Sequence, residues 1–257
     1  MSEQYDGVGL RLSVDDVVAT ITMTSPETRN AQSPRMWAAL AEIGEALPDE
    51  IRVVVIAGEG ESFSSGLDRR MFEPDGVPGD TSFAELLEQD DLALAETIAT
   101  FQQAFSWWRR PELVTIAAVQ GHAVGAGFQL ALACDLRVLA DDARLSMRET
   151  TLGLVPDLGG TKPLVEAVGY SRALEICLTG RWVGAGEALR LGLATIVVPR
   201  RELQSAVADL AAAVSSPARG AVTATKALLG TASARSHTDQ MEAERTAQVR
   251  RLRSLAG

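Results

Sequence analysis

Two glycine-rich segments carry the residue types and spacings that could do chemistry. The first is Phe63-Ser64-Ser65-Gly66-Leu67-Asp68, shortly after a β-branched apolar run ending at Ala57. The second is Gly121-His122-Ala123-Val124-Gly125-Ala126-Gly127-Phe128-Gln129, directly after a similar run ending at Val119. Small residues at such turns let backbone N–H groups approach a ligand closely. Two such donors converging on one point, one of them at a helix N-terminus, make an oxyanion hole for negative charge developing on a carbonyl oxygen. By spacing alone, the plainer reading of both segments is a tight strand-to-helix turn. Two acids follow. Glu149 stands between a short strand at Ala143 to Met147 and a turn at Gly153, where a lone glutamate is ordinarily a solvated surface residue. Asp157, eight residues on, suits an N-cap for a helix opening near Gly159, since aspartate readily bonds the first free N–H groups of a helix.

Other chemistries find fewer of their parts. Gly125-Ala126-Gly127 begins a dinucleotide fingerprint, but Leu130 stands where the third glycine belongs, and no GxxxxGK[ST] phosphate loop or GxSxG serine elbow occurs. His122 and His237 are too few and too far from Cys134 and Cys177 for a zinc site of familiar spacing, so no protein-bound metal is expected. The two cysteines lie in apolar helical contexts and read as small buried hydrophobes in a reduced compartment, without a disulfide. The 24 basic and 34 acidic residues give a net charge of −10, which repels a nucleic-acid backbone. Residues 201–257 carry eight basic and five acidic residues, leaving a basic corner for a small phosphorylated ligand.

The elements that must position these groups follow from periodicity. Val8, Leu10, Leu12 and Val14 alternate onto one face of a strand that turns at Asp15-Asp16 and returns as Val18 to Met23. Ser33-Pro34 is an N-cap with proline at the first helical position, followed by Met36, Leu40, Ile43 and Leu47 on one stripe. Buried strands are expected at Ile51 to Ala57, Leu113 to Val119, Leu136 to Ala140 and Ala194 to Val198, with a helix from near Gly127 and others after Gly160, Tyr170 and Gly184. Phe72 to Ser82 reads as a mobile loop, and Trp107-Trp108-Arg109-Arg110 as a helix end packed on the core with its two arginines solvated. Beyond Pro199 only helices are expected, near 201–214, 217–229 and 237–254. The chain therefore divides into an α/β core, residues 1–199, and a helical region, residues 200–257. No apolar run reaches the roughly 20 residues that span a bilayer, and Met1 to Asp6 has no export signal, so a cytoplasmic protein without a membrane partner is expected.

Together, several motifs resemble the enoyl-CoA hydratase/isomerase family of the crotonase superfamily along nearly the whole chain. They are Arg29-Asn30-Ala31, Val53-Val54-Val55-Ile56, the two glycine-rich segments, Ala133-Cys134-Asp135-Leu136-Arg137, Gly153-Leu154-Val155-Pro156, Gly159-Gly160-Thr161, Leu178-Thr179-Gly180-Arg181 and Ala188 to Ala194. The resemblance implies an α/β fold, a spiral of ββα units with a helical C-terminal trimerisation region. It also implies an acyl-CoA substrate that brings its own coenzyme A, no prosthetic group, and a homotrimer or a dimer of trimers.

Carried over by motif, the oxyanion donors fall on the backbone N–H groups of Leu67 and Ala126, and the base on Glu149. Hydratases of the family place a first glutamate where Gln129 stands. An amide can hydrogen-bond a water or a thioester but cannot shuttle a proton, so double-bond isomerisation with one base is expected ahead of hydration by Glu149 alone, and a non-catalytic acyl-CoA binder is the further alternative. Asp157 matches an aspartate of dienoyl-CoA and ring-epoxide isomerases, which leaves the second-acid and helix-cap readings both open. Coenzyme A contacts are expected at Arg29, Ser65, Asp68 and Lys226, with Arg29 equally readable as a surface residue. Leu86, Leu92 and Phe101 are candidates for the acyl chamber.

Overall fold

The computed structural model describes residues 5–73 and 75–256. Strands β1 (Leu10–Asp15) and β2 (Val18–Met23) form the expected hairpin, and Asp16 takes a left-handed conformation in its turn. Helix α1 (Pro34–Ala46) starts where the proline predicts, with the Ser33 side chain accepting from the Met36 N–H. Strand β3 (Val53–Gly58) pairs parallel to β2. A 3₁₀ turn at Arg69–Phe72 and an irregular segment then lead to α2 (Phe83–Leu87) and α3 (Asp91–Ser106), the latter ending in buried Trp107 and Trp108. The flanking arginines are not simply solvated. Arg109 donates to the Leu132 carbonyl and pairs with Glu166, while the Arg110 Nε is buried beside the Trp107 ring.

The chain then gives β4 (Val114–Val119), β5 (His122–Val124), α4 (Ala126–Ala133), β6 (Leu136–Ala140) and β7 (Arg144–Ser146). After these come α5 (Thr161–Val168), α6 (Tyr170–Thr179), β8 (Val183–Gly184), α7 (Ala185–Arg190) and β9 (Ile196–Val198). Six strands form one sheet in the order β1-β2-β3-β4-β6-β9, parallel except for the first pair, and β5-β7-β8 form a second, smaller sheet. β5 lies inside what the sequence offers as a continuous glycine-rich turn. Its three residues are too few to show alternation, and it exists because β7 pairs alongside it.

Both faces of the large sheet are covered, which explains the nearly continuous apolar runs of β3 and β4. Val54, Ile56, Ala117 and Val119 enter the main core with α1 and α4, while Val53, Val55, Ile116 and Ala118 face Leu203, Val207 and Ala211 of α8 (Leu203–Ser215). Helix α8 thus belongs to the core by packing, and a boundary at 199/200 cuts through one hydrophobic cluster. Helix α9 (Arg219–Thr231) buries no residue, and α10 (His237–Ala256) buries none of its described side chains.

One polar anchor ties α9 to the sheet. The Lys226 ammonium donates to Asp135 Oδ2 at 2.6 Å and to the Leu113 carbonyl at 2.5 Å, and Asp135 Oδ2 also accepts from the Thr115 N–H and hydroxyl. Burial pulls the Lys226 pKa below the ordinary lysine value, against the opposing pull of Asp135. Removing one partner of a largely buried pair strands the other. Lys226→Met is therefore expected to cost about 3 kcal/mol of unfolding free energy, measured from the urea midpoint. A shift within the range of a surface substitution would return Lys226 to solvent.

Candidate active site

The two glycine-rich segments lie side by side, with Ser64 and Ala123 bridged in parallel. The Ser64 N–H donates to the His122 carbonyl at 2.9 Å and the Val124 N–H to the Ser64 carbonyl at 3.0 Å. Gly66 closes the approach. At φ +84° it adopts a backbone conformation that side chains disfavour, and a Cβ there would stand 2.4 Å from the Val124 carbonyl oxygen and 3.4 Å from the Ala126 nitrogen. The groups around Leu67 are pinned, because Gln32 N–H donates to the Gly66 carbonyl and Asp68 N–H to the Gln32 carbonyl, each at 2.8 Å. The N–H of Leu67 itself has no acceptor among the described residues. Neither has that of Ala126, the first residue of α4, whose N–H is one of the four that any helix leaves unpaired at its start. The fold has brought two free donors together from segments some sixty residues apart.

Glu149 begins a 3₁₀ turn, Glu149–Leu152, that follows β7 and closes on left-handed Gly153. Its carboxyl lies against the start of α4, where a Cβ on Gly125 would stand 3.3 Å from Oε1. Gly125 has φ +50° and gives way to both the turn and the carboxyl. Glu149 is 9% exposed, and its two oxygens differ. Oε1 accepts from Gln129 Nε2 at 2.6 Å, whereas Oε2 is buried with no hydrogen-bond partner among the described residues. Burial pushes the carboxyl pKa up from the ordinary 4.5. The Gln129 hydrogen bond and the nearby backbone amides of Glu149 and Arg148 oppose this, and the charge of Asp157 adds to it. This is the environment of a carboxylate held ready to take a proton.

Asp157 is not a helix cap. Helix α5 opens at Thr161 with Gly160 before it and no side-chain cap bond, so Asp157 falls too early in the chain to reach the helix amides. It is partly buried instead, which raises its own pKa, and lies close enough for its charge to oppose ionisation of Glu149. Its carbonyl oxygen accepts from Gln102 Nε2 at 2.6 Å, a contact from α3 that no local pattern in the sequence reveals. Gln129 is 1% exposed and bonds both acid-bearing segments. Besides Glu149, it accepts from the Leu158 and Gly160 N–H groups at 3.0 and 3.1 Å.

The expected coenzyme contacts fare differently. Arg29 is exposed in a left-handed conformation, and its side chain has no ion pair among the described residues. Ser65 ties loops together, its hydroxyl donating to the Thr28 carbonyl at 3.0 Å and its N–H to the Arg29 carbonyl at 2.8 Å. Asp68 caps the following turn through the Arg70 N–H and pairs with the Arg70 guanidinium at 2.6 Å, which holds its carboxyl below the ordinary range. Lys226 is spent on Asp135 and two carbonyls, where a phosphate would have to displace buried partners. Of the proposed acyl-chamber residues, Leu86 is buried and Phe101 packs on Trp37 at 5.1 Å, but Leu92 is 72% exposed. Fully buried Asn30 escaped notice as a positioning residue. It bonds the Ser25 N–H and the carbonyls of Glu59 and Ser62, joining the β2 and β3 ends beneath the first donor. Its place in Arg29-Asn30-Ala31 was the available signal.

A family model described as enoyl-CoA hydratase/isomerase matches residues 14–254. A Thauera aromatica (E)-benzylidenesuccinyl-CoA hydratase is 35% identical over 85% of this chain and 82% of its own. An Arabidopsis thaliana peroxisomal Δ(3,5)-Δ(2,4)-dienoyl-CoA isomerase is 30% identical over 86% and 80%. A Thermobifida fusca protein named as an enoyl-CoA hydratase and solved with CoA is 49% identical, covers 100% of this chain and 97% of its own, and superposes at a TM-score of 0.95. A second structure of that protein holds acetoacetyl-CoA. With its parallel sheet, the two loops and Glu149 all within the matched length, the chain belongs to the enoyl-CoA hydratase/isomerase family of enzymes and has the crotonase fold.

Proposed function

We propose that this enzyme binds an acyl-CoA thioester and shifts its double bond, with Glu149 as the base and the Leu67 and Ala126 N–H groups holding the enolate oxygen. The observation that carries the reading is the asymmetry of Glu149: Oε1 is occupied by an amide that cannot ionise, and buried Oε2 has no partner among the described residues. Removing a proton beside a thioester throws charge onto the carbonyl oxygen, where each fixed donor is worth about 10²- to 10³-fold. Hydration needs a second group to activate water, and Gln129 has both carbonyl lone pairs committed to backbone N–H groups. The acyl-CoA class is supported by the ligands of the Thermobifida relative. Presented separately, a 3-enoyl-CoA should gain conjugated absorbance faster than a 2-enoyl-CoA loses it; the reverse ratio favours the hydratase alternative. Because only ionised Glu149 accepts a proton, activity should rise with pH through a midpoint above the ordinary 4.5.

Asp157 favours one refinement, isomerisation of a dienoyl thioester with two acids sharing the work, since its charge is felt at Glu149. In the same reading, further copies of the chain cover α9 and α10 in a trimer or a pair of trimers. The accessible surface, 13192 Å², exceeds the roughly 11,000 Å² expected for a compact monomer of this mass. Leu229, Val249, Leu252 and Leu255 are exposed on those helices.

A further inference from the structure

The Gln129 amide has no freedom to flip. Its carbonyl oxygen accepts from two backbone N–H groups, those of Leu158 and Gly160, and an NH₂ group in that place would meet two donors. The NH₂ is thereby turned to Glu149 Oε1. An oxygen that accepts from Gln129 in this geometry is not also the protonated oxygen of the carboxyl. When Glu149 is protonated, its hydrogen sits on Oε2, the oxygen with no partner among the described residues.

We infer that Gln129 is a positioning residue that makes Glu149 a single-oxygen acid–base, so that the proton taken from substrate is held on Oε2 and returned from Oε2. This rests on the isomerase reading above. In the forward step the C2–H bond of a 3-enoyl thioester breaks, its electron pair moves onto the thioester carbonyl oxygen, and the proton bonds to Oε2. In the return step that O–H bond breaks and a C4–H bond forms. The double bond then lies between C2 and C3, the carbonyl is restored and the carboxylate regenerated without a co-reactant. The ionisable groups facing Glu149 are Asp157, on the segment that Gln129 also grips, and Cys177 of α6, whose thiol is pushed up by burial and then by the Glu149 charge. Adjacent Arg148 turns away, its guanidinium over the Trp182 ring at 5.0 Å and its Nε donating to Ser146 Oγ at 3.0 Å.

The test is isotopic and spectroscopic. A 3-enoyl-CoA with two deuterons at C2 is turned over in light water, and deuterium at C4 of the product is read by mass spectrometry. The parent should carry most of the label across. Gln129→Met removes the donor, and retention should fall about twofold or more as both carboxyl oxygens become able to hold the proton. The acid limb of kcat/KM should also move up by about one pH unit, the scale of a hydrogen bond to an ionised group. Because the Met variant orphans the Leu158 and Gly160 N–H groups, Gln129→Glu is the companion: it keeps an oxygen for them and must share a proton with Glu149 Oε1, so retention should fall in a folded protein. Unchanged retention in the folded variants overturns the inference. Independently of turnover, the infrared carboxyl band that disappears in Glu149→Gln should titrate at higher pH in Gln129→Met. An unmoved band overturns the inference, whereas a moved band in a parent inert to every enoyl-CoA overturns the isomerase reading alone.

Discussion

Glu149→Gln is expected to bind acyl-CoA nearly as the parent does and to lose about 10²- to 10⁴-fold in turnover, the scale of general-base removal. The structure makes this a clean substitution. A glutamine at 149 can turn its carbonyl oxygen to the Gln129 NH₂, which keeps the 2.6 Å contact and leaves an NH₂ where the basic oxygen stood. Shape and packing are preserved while the proton acceptor is gone. Asp157→Asn is its companion. Since Asp157 does not cap α5, the change should not show the roughly 1 kcal/mol loss of a removed helix cap. If the two acids act together, turnover falls comparably in both variants, measured with 3-enoyl and dienoyl thioesters. An inactive Asp157→Asn beside a fully active Glu149→Gln would exchange their roles, and full activity in both would remove the enolate mechanism.

What the sequence could tell about this site depended on the range of the interaction. Ser33-Pro34 announced α1 and alternation announced the hairpin because caps and pleats are local. The nearly all-apolar runs announced β3 and β4 because a strand buried on both faces has no polar side to show. The cap reading of Asp157, one of two left open, was a local rule applied three residues before the actual N-cap, Gly160. Lys226 and Asp135 are ninety-one residues apart, and nothing near either one marks it as the other's partner. The grip of Gln129 was invisible for the same reason: the family resemblance implied a carboxylate at that position in hydratases, but the backbone partners of Gln129 lie 29 and 31 residues downstream. The two amides proposed for the oxyanion hole were legible through motif rather than through physics, since a free N–H leaves no trace in residue type.

Those amides can nonetheless be tested one at a time, because Ala126 occupies the first position of α4. Proline is well tolerated there, as the N–H it lacks is already unpaired and its fixed φ suits a helix start. Ala126→Pro therefore deletes one donor while leaving the helix its first turn, and its ring enters the space the thioester oxygen would occupy. Turnover should fall about 10²- to 10³-fold, with far-UV circular dichroism unchanged. Leu67→Ala is the control at the other donor. It trims a side chain packed partly against the main core but retains the N–H, so the rate should change far less than in Ala126→Pro. Soluble, folded Ala126→Pro protein with parental turnover would separate the Gly125–Gly127 segment from the reacting carbonyl, and with it the need for Gly66 to let the two loops meet.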